Sequence, residues 1–481
     1  MSVEITTLPS GLRVVTDAMP HLMTASLGVF VGAGSRHELT HEHGLSHLLE
    51  HMAFKGTRRR SARDIAEAIE NAGGDLNAET GVEQTAYLAR VLGEDAELAL
   101  DILADILTDS AFDADELERE KGVILQEIGA VEDTPDDLIF DRFTSAAWPG
   151  QPIGRPILGT REGVGAFDRD AIDGYQRGHY QAGATIIAGA GAVNHAEIVD
   201  LSARHFEPLG RGEAPPASPA SYRGGEIMVK KPLGQTHVVV GFEGRAVHAP
   251  DHDAAHVFAA AAGGGMSSRL FQEVREKRGL AYSIYSFHWA YSDAGLMGFY
   301  AATSPGRAGE LMAAALDCLS EAAASLGEEE IHRAKAQMKV SLLTALESSG
   351  ARAQQVARQM LVYGRPLGTE EMIARIERLN VSDVRAAGAA MLNSAPTVAA
   401  VGRTGKVIDQ ARVARRLAGV LDGLGRMEVW LHSQGRAGLT PCDRLVLTPA
   451  FSRLARDAHN VATLAEDLIG ELHPHDRAQA Q

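Results

Sequence analysis

The residues with the clearest chemical potential are two histidines and a glutamate near the N-terminus. His47 and His51 are four residues apart, and Glu50 lies between them. On a helix, side chains three and four residues apart project from one face, so both imidazoles and the carboxylate can reach one point. Two neutral imidazoles can bind zinc while the carboxylate takes a proton from the attacking water. The order H-x-x-E-H is the inverted zinc motif and predicts zinc-dependent hydrolysis.

A hydrolytic zinc site needs a third protein ligand beside an open position, and one acidic helix offers several candidates. Asp113 is placed to cap this helix, and Glu116 to complete a capping box. Glu120 and Glu127 are seven residues apart and share one face. Glu127 could bind the metal, and Glu120 could hold a ligand histidine by a hydrogen bond. The residues alone leave this choice open, because a solvated acidic helix carries the same pattern.

The histidine motif also fits a surface helix with two solvated histidines. Its leucines and Met52 give the segment an apolar side that would pack on a core. We interpret three neighbouring histidines as loop residues, because a three-ligand site is complete without them: His37, His41 and His43.

Length and composition describe a large globular chain. The 481 residues exceed one typical domain of about 100–200 residues, so we expect about two to four domains. Hydrophobic residues make up 45% and charged residues 23%, which excludes a disordered chain. The net charge of −17 argues against nucleic acid or an anionic membrane as the main partner. It would suit a cationic substrate, although general solubility is the simpler explanation.

The sequence predicts neither a membrane span nor a disulfide framework. No stretch approaches the roughly 18 uninterrupted apolar residues of a transmembrane helix. The first 20 residues lack the basic start and apolar core of a secretion signal. Cys318 and Cys442 can form neither a disulfide framework nor a four-cysteine zinc site. We therefore expect a cytoplasmic protein.

Short strands and longer amphipathic helices must position the candidate residues. Alternating and continuous apolar runs predict strands at 11–15, 24–31 and 236–242. Apolar residues at helical spacing predict helices at 61–72 and 93–107.

A segment rich in proline, serine, alanine and glycine, residues 210–225, divides the chain. We expect a zinc-binding half at 1–209 and a second half at 226–420. Residues 421–481 belong to neither half, and their role is unknown; they include one plausible helix at 451–472.

The two halves resemble distant copies of each other. A shift of about 210 positions lays residues 26–34 over residues 236–244, each a strand followed by a turn. A larger shift lays the acidic segment 115–121 over residues 329–335. The order strand, helix, strands and long helices therefore occurs twice, which predicts an α+β fold of two similar halves.

Several segments share one pattern with the histidine motif. They are LPSGLRV at 8–14, GSR at 34–36, HLLEHMAFKGT at 47–57, GGDLNA at 73–78, EKGVILQE at 120–127 and GGGMSSRLF at 263–271. Together they resemble the pitrilysin (M16) family of zinc metallopeptidases, in particular the branch of the mitochondrial processing peptidase beta subunit and its bacterial relatives. The resemblance spans about residues 5–405 and leaves the C-terminal tail outside the family pattern.

This resemblance implies a complete zinc site within a two-part fold. The family's third ligand lies 76 positions after the second histidine, at Glu127, and its assisting glutamate falls on Glu120. One zinc ion per chain is therefore expected on His47, His51 and Glu127. Two homologous halves, each an antiparallel sheet flanked by helices, would close like a clam shell around a chamber.

The resemblance also implies that the second half is inactive but assists the first. The counterparts of the metal ligands lie near Val257, Ala261 and Ser341, which cannot together form such a site. Arg275 and Tyr282 match a family arginine and tyrosine that hold the substrate carbonyl and stabilise the oxyanion. Without the resemblance, a salt-bridged arginine and a packed tyrosine would be preferred.

Two groups of residues are expected to contact the substrate. Asn77 and Ala78 match a family stretch that pairs with an extended peptide, although they also fit a plain inner strand. Asp137 and Asp141 share one face of a helix that Thr134 is expected to cap. They resemble the processing peptidase's pocket for an arginine just before the cut, and an ordinary acidic helix start is the alternative.

We therefore expect a zinc endopeptidase that cleaves short or unfolded peptides, with basic presequence-like peptides as one class. The expected assembly is a homodimer, or a heterodimer with an inactive homologue, in a bacterial cytoplasm. Two alternatives stay open. One is a non-catalytic partner or scaffold subunit, and the other is a peptide-binding module with structural zinc.

Overall fold

The computed structural model describes residues 3–417 of the chain. The tail expected at 421–481, with its predicted helix at 451–472, lies outside the described residues.

The first half builds a sheet and helices around a core. Its strands are β1 (Val3–Thr7), β2 (Arg13–Ala18), β3 (Thr24–Val31), β4 (Asp75–Thr80), β5 (Thr85–Leu92) and β6 (Thr185–Gly191). Its helices are α1 (Leu45–Ala53), α2 (Ala62–Asn71), α3 (Ala96–Thr108), α4 (Ala114–Asp133), α5 (Pro135–Ala147), α6 (Arg161–Ala166), α7 (Arg169–His179) and α8 (His195–His205).

The second half repeats this arrangement. Its strands are β7 (Gly225–Lys230), β8 (Thr236–Glu243), β9 (Ser283–Ala290), β10 (Gly295–Thr303) and β11 (Thr397–Gly402). Its helices are α9 (His252–Gly263), α10 (Ala308–Ser325), α11 (Glu328–Ala345), α12 (Ser349–Tyr363), α13 (Thr369–Glu377) and α14 (Val381–Leu392). A π-helical segment, Phe271–Lys277, precedes β9.

The two sheets share the order of five strands, and the first sheet has β1 as an additional edge strand. The first sheet runs β1-β2-β6-β3-β5-β4 and the second β7-β11-β8-β10-β9. The predicted α+β fold of two similar halves is confirmed. The expectation of an antiparallel sheet in each half is wrong, because both sheets are mixed: β2 pairs parallel with β6, and β7 pairs parallel with β11. Each parallel partner follows after a long connection that contains both helices and other strands, and a long connection permits parallel pairing. The remaining pairs are antiparallel.

Each half lends one helix to the sheet of the other half. Helix α5 packs on β7, β8 and β11, where Phe143 joins a cluster with Val239 and Phe287. Helix α12 packs on β3 and β6, where Val356 joins a cluster with Phe30. The apolar faces of these helices are therefore buried only when both halves are in contact.

A buried arginine adds a polar connection between the halves. Arg36 is 2% exposed. Its guanidinium donates to Glu83 at 2.6 Å and to Asp293 at 2.9 and 3.1 Å. Glu83 also accepts hydrogen bonds from the backbone and hydroxyl of Ser292. The turn between β9 and β10 is thus fixed to the first half.

Within residues 3–417, no helix combines the length and apolar character that crossing a lipid bilayer requires.

Candidate metal centre

The histidine helix α1 begins at a tightly constrained turn. Gly44 precedes it with φ of +100°, in the left-handed region that favours glycine. A Cβ at Gly44 would lie 2.7 Å from the Cα of Gly159, so this position has no room for a side chain. Four residues of α1 are at most 1% exposed and pack in the core of the first half: Leu45, Leu48, Leu49 and Met52. The opposite side of the helix carries the candidate ligands.

A buried carboxylate occupies the start of α1. Glu38 accepts hydrogen bonds from the backbone N–H of Gly44 at 2.9 Å and from the N–H and hydroxyl of Ser46 at 2.8 and 2.5 Å. It thereby satisfies donors at the N-terminus of the helix, which helices otherwise leave without intrahelical partners. Burial raises the pKa of Glu38 to about 7, against the opposing effect of these hydrogen bonds.

Helix α4 brings Glu127 to the two histidines of α1. The Oε2 atom of Glu127 lies 3.8 Å from Nε2 of His47 and 3.7 Å from Nε2 of His51. The two imidazole centroids are 4.6 Å apart. In the part of the chain that the structure describes, these three side chains form a group whose ligand atoms all lie within 4.8 Å of one another.

The donor set fits a zinc ion. Zinc binds imidazole nitrogen and carboxylate oxygen at about 2 Å, so two of its ligand atoms lie no more than about 4 Å apart. Glu127 Oε2 is buried and has no hydrogen-bond partner among the described residues. A buried carboxylate oxygen without a partner is costly, and a cation between it and the two imidazoles would remove this cost.

The protonation state of His47 suits metal binding. Burial, followed by the nearby His51 ring, lowers the pKa of His47 to about 4. The imidazole is therefore neutral at pH 7, which is the form that binds a metal.

Glu120 and Lys55 orient the second histidine. Glu120 Oε2 lies 2.9 Å from Nδ1 of His51, and its Oε1 lies 2.7 Å from Nζ of Lys55. Burial opposes ionisation, but the hydrogen bonds from Lys55 and His51 hold the pKa of Glu120 below its ordinary value. The ionised carboxylate accepts a hydrogen bond from the Nδ1–H of His51, which leaves the lone pair of Nε2 available for a metal ion.

Glu50 lies on helix α1 between the two candidate ligand histidines, and it is hydrogen-bonded to strand β4. The hydroxyl of Thr80 donates a hydrogen bond to Glu50 Oε2. Burial raises the pKa of Glu50, while the hydrogen bond from Thr80 opposes this effect. Thr80 ends β4, so the edge strand of the first sheet is connected directly to the candidate base.

The residues expected to bind a peptide backbone lie on that edge strand. β4 pairs with β5 on one side and ends the strand order on the other. Asn77 is exposed, whereas Ala78 is half-buried and shares its face of the strand with Thr80. The structure therefore places Ala78 on the side of β4 that contacts Glu50.

The two candidate specificity acids lie on α5. Asp137 is exposed and Asp141 is half-buried. Burial raises the pKa of Asp141 to about 6. The positive charge of Arg142 opposes this rise, and the negative charge of Asp137 adds to it. Thr134 occupies the predicted N-cap position of this helix, but it makes no capping hydrogen bond, because its hydroxyl donates to the Ala130 carbonyl instead.

The caps of α4 also differ in part from the prediction. Asp113 accepts hydrogen bonds from the backbone N–H groups of Asp115 and Glu116, as predicted. Glu116 does not complete a capping box, because its carboxylate forms an ion pair with Arg119 at 2.5 Å.

The candidate oxyanion residues are exposed in the second half. Arg275 lies on the π-helical segment with its guanidinium carbon 4.5 Å from the centroid of the Phe271 ring. Tyr282 is 74% exposed and precedes β9. Within residues 3–417 neither side chain makes a hydrogen bond or ion pair, so the alternative of a salt-bridged arginine and a packed tyrosine does not describe them.

The counterpart of the metal centre in the second half lacks metal ligands. Val257 and Ala261 lie on α9 and are buried among apolar residues, and Ser341 lies exposed on α11. Among the described residues, no second group of histidine, cysteine or acidic ligand atoms reaches the same proximity.

Comparison with known proteins identifies the family. Residues 13–161 match the insulinase (peptidase family M16) domain, and residues 166–338 match the peptidase M16 inactive domain. The chain is 39% identical to an uncharacterized zinc protease of Streptomyces coelicolor, over 83% of this chain and 90% of the relative. The chain belongs to peptidase family M16. An uncharacterized zinc protease of Rickettsia bellii is 38% identical to this M16 chain, over 83% of the chain and 97% of the relative.

Solved structures share the fold. A chain of complex III2 from Candida albicans with bound Inz-5 superimposes with a TM-score of 0.76 at 24% identity, over 86% of the M16 chain and all of that chain. A structure of a peptidase M16 inactive domain from Pseudomonas fluorescens gives a TM-score of 0.78 at 21% identity. The match covers 85% of the M16 chain and all of that structure's chain. With the family shown and the ligand group brought together, the M16 chain is a zinc metalloprotease.

Several residues of the centre were not anticipated from the sequence. Lys55 lies within the segment 47–57 and Thr80 lies two residues after the segment 73–78, but their partners depend on tertiary contacts. Glu38 lies before the histidine motif in a region interpreted only as a loop. A buried acid seven residues before a helix start has no short-range sequence signal.

Proposed function

We propose that this M16 chain is an endopeptidase that cleaves short or unfolded peptides in a chamber between its two halves. One zinc ion per chain is held by His47, His51 and Glu127. The observation that carries the proposal is the unpartnered Oε2 atom of Glu127, which lies 3.7–3.8 Å from the Nε2 atoms of both histidines.

The residues around the ion divide the work of peptide hydrolysis. Zinc supplies the Lewis acidity that activates a water molecule for attack on a peptide carbonyl. Glu50 takes a proton from this water and delivers it to the leaving amine nitrogen. The Thr80 hydroxyl fixes one oxygen of Glu50, so the other oxygen is free for the proton. Glu120 keeps His51 in the tautomer that binds through Nε2.

The second half supplies the groups that face the substrate carbonyl. Arg275 and Tyr282 have exposed, unpaired polar ends among the described residues. They hold the carbonyl oxygen and stabilise the negative charge that develops on it. Residues 226–420 thus form a non-catalytic half that contributes to the site of residues 1–209 across the linker at 210–225.

Substrate binding combines an edge strand with an acidic helix. An extended peptide adds to the free edge of β4 beside Asn77 and Ala78, and backbone pairing accepts many sequences. Asp137 and Asp141 receive a basic side chain before the cut, which would favour presequence-like peptides.

We place the chain in the processing-peptidase branch of the family, as a homodimer or with an inactive homologue. Its named relatives are bacterial, and we propose a bacterial cytoplasmic enzyme without nucleic-acid or membrane partners.

The test is a peptide-library digest with the wild type, with and without a chelator, and with Glu50→Gln. The variant should retain zinc and lose about 100-fold or more in kcat, because general acid–base catalysis contributes roughly that much. Glu70→Gln is the matched control, since Glu70 is exposed on α2. Full activity of Glu50→Gln would contradict the assignment. If the purified wild type contains no zinc, the result would instead favour a scaffold subunit. If it contains zinc but leaves the peptides uncut, the result would favour a peptide-binding module.

A further inference from the structure

The second half contains a cavity of about 970 Å³ at the place that corresponds to the metal centre. With the shift of about 210 positions, Ala260 corresponds to Glu50 and Ala290 to Thr80. Both residues line the cavity, as does Ser341, the counterpart of Glu127. The pseudo-repeat therefore retains a cavity where the first half has its catalytic site.

One wall of this cavity carries a hydrogen-bond donor without an acceptor. His288 is 9% exposed, and its Nε2 accepts the backbone N–H of Arg245 at 3.0 Å. Burial, followed by the neighbouring His256, His252 and Arg245, lowers the pKa of His288 to about 3. The neutral ring therefore carries its proton on Nδ1. That atom is buried and has no partner in the part of the chain that the structure describes.

The tautomer excludes His288 as a metal ligand in this arrangement. Its Nε2 lone pair is occupied by the Arg245 N–H, and its Nδ1 is protonated. The ring is instead suited to donate a hydrogen bond to an oxygen acceptor.

The cavity also has an excess of positive charge. Arg375 and Asp253 neutralise each other through contacts of 2.9 and 3.2 Å. Burial lowers the pKa of His256. Arg358 lines the cavity and is exposed, and among the described residues it forms no hydrogen bond or ion pair. In a chain of net charge −17, an unpaired arginine and an unsatisfied donor on the wall of one cavity favour an anionic ligand.

The rest of the wall is largely apolar. Trp289, Met338, Leu342 and Val362 contribute to it. A ligand that fits both features has a carboxylate next to an apolar group.

We propose that this cavity binds the C-terminal carboxylate of a peptide that ends in an apolar residue. The Nδ1–H of His288 donates to one carboxylate oxygen, and Arg358 supplies the positive charge. The apolar wall receives the last side chain. This inference rests on the proposed peptidase function in one respect, namely that the carboxylate belongs to a peptide.

The experiment compares binding of acetyl-trileucine with a free carboxylate and of the same peptide with a C-terminal amide. Isothermal titration uses the full-length, zinc-loaded chain carrying Glu50→Gln, so that no turnover is needed and a failure of the peptidase proposal leaves the result interpretable. We expect the acid to bind at least about tenfold more tightly than the amide, since ionised acceptors form the stronger hydrogen bonds. In the same background, Arg358→Gln should remove this preference.

Arg415→Gln is the matched control, because Arg415 is exposed in the second half and does not line the cavity. It should leave the preference unchanged. Equal binding of acid and amide, or an unchanged preference in Arg358→Gln, would overturn the proposal. Octanoate binding more tightly than the tripeptide acid would overturn the choice of a peptide as the ligand.

Discussion

At the scale of single residues, the arrangement around His51 shows how a metal site depends on groups that never touch the metal. Glu120 bonds to Nδ1 of His51 and is itself held by Lys55. A ligand histidine whose second nitrogen is fixed in this way has one tautomer and one ring orientation. Removing the hydrogen bond between Glu120 and His51 should therefore lower the affinity for zinc, although Glu120 does not touch the metal.

Glu120→Gln should therefore weaken zinc binding by about 10- to 100-fold, the usual effect of losing such a partner. Competition with a chromophoric chelator measures the affinity directly. Glu118→Gln is the control on the same helix, because Glu118 is exposed and pairs with Lys121 away from the histidines. Equal zinc affinities of the two variants would exclude a role for Glu120 in orienting His51.

The metal ligands illustrate the reach and limit of sequence reasoning. Two of them, His47 and His51, follow from spacing on one helix. Glu127 lies in a different helix, so its selection among several acids required the family resemblance. Lys55 and Thr80 could not be selected, because a lysine or threonine gains its role only from the carboxylate that folding brings beside it.

At the scale of elements, the start of α1 determines where the ligands point. Glu38 accepts three hydrogen bonds there while almost fully buried. The folded protein therefore holds the proton of Glu38 more tightly than the unfolded chain does, since burial raises its pKa from 4.5 to about 7.

This pKa shift predicts a pH dependence of stability. A carboxyl group with a raised folded-state pKa contributes stability that is present below pH 4.5 and is lost as the pH rises toward about 7. Across this window, the free energy of unfolding of the wild type should fall by about 3 kcal/mol relative to Glu38→Gln, which cannot ionise. Urea unfolding in EDTA measures it without the contribution of zinc.

The control for this series is Glu70→Gln, an exposed position that should follow the wild type at every pH. Parallel stability curves for the wild type and Glu38→Gln would show that Glu38 is ionised with an ordinary pKa in the folded protein.

Element boundaries near the motif were largely predictable. The apolar spacing at 61–72 predicted α2, which spans Ala62–Asn71, and the run at 24–31 coincides with β3. The N-cap position of Thr134 was also predictable, but the hydrogen bond of its side chain was not, because its hydroxyl donates to a carbonyl of the preceding helix. Competing local hydrogen bonds of this kind are invisible to spacing.

At the scale of the whole molecule, the halves are interlocked by exchanged helices and by Arg36. The sequence indicates which face of α5 or α12 is apolar, but not that the sheet of the other half covers it. The pseudo-repeat predicted two similar halves, yet the contact between them depends on pairs such as Arg36 and Asp293 that lie 257 positions apart.

Arg36→Gln should destabilise the folded chain by about 3 kcal/mol, because it leaves Glu83 and Asp293 without their cationic partner. Both acids are partly exposed, at 26% and 38%, which limits the loss. Chemical denaturation measures the change. Arg63→Gln, which removes an exposed helical ion pair, should cost less than about 0.5 kcal/mol. A loss no larger than that of Arg63→Gln would show that Arg36 does not stabilise the contact between the halves.

The proposed activity requires that three side chains from two helices of the first half share one zinc ion. A crystal structure of the zinc-loaded chain, with data collected on both sides of the zinc absorption edge, tests it most directly. We expect one anomalous peak in the first half, about 2 Å from Nε2 of His47, Nε2 of His51 and a carboxylate oxygen of Glu127. A peak elsewhere, or one bound by the histidines while the Glu127 carboxylate points away, would contradict it.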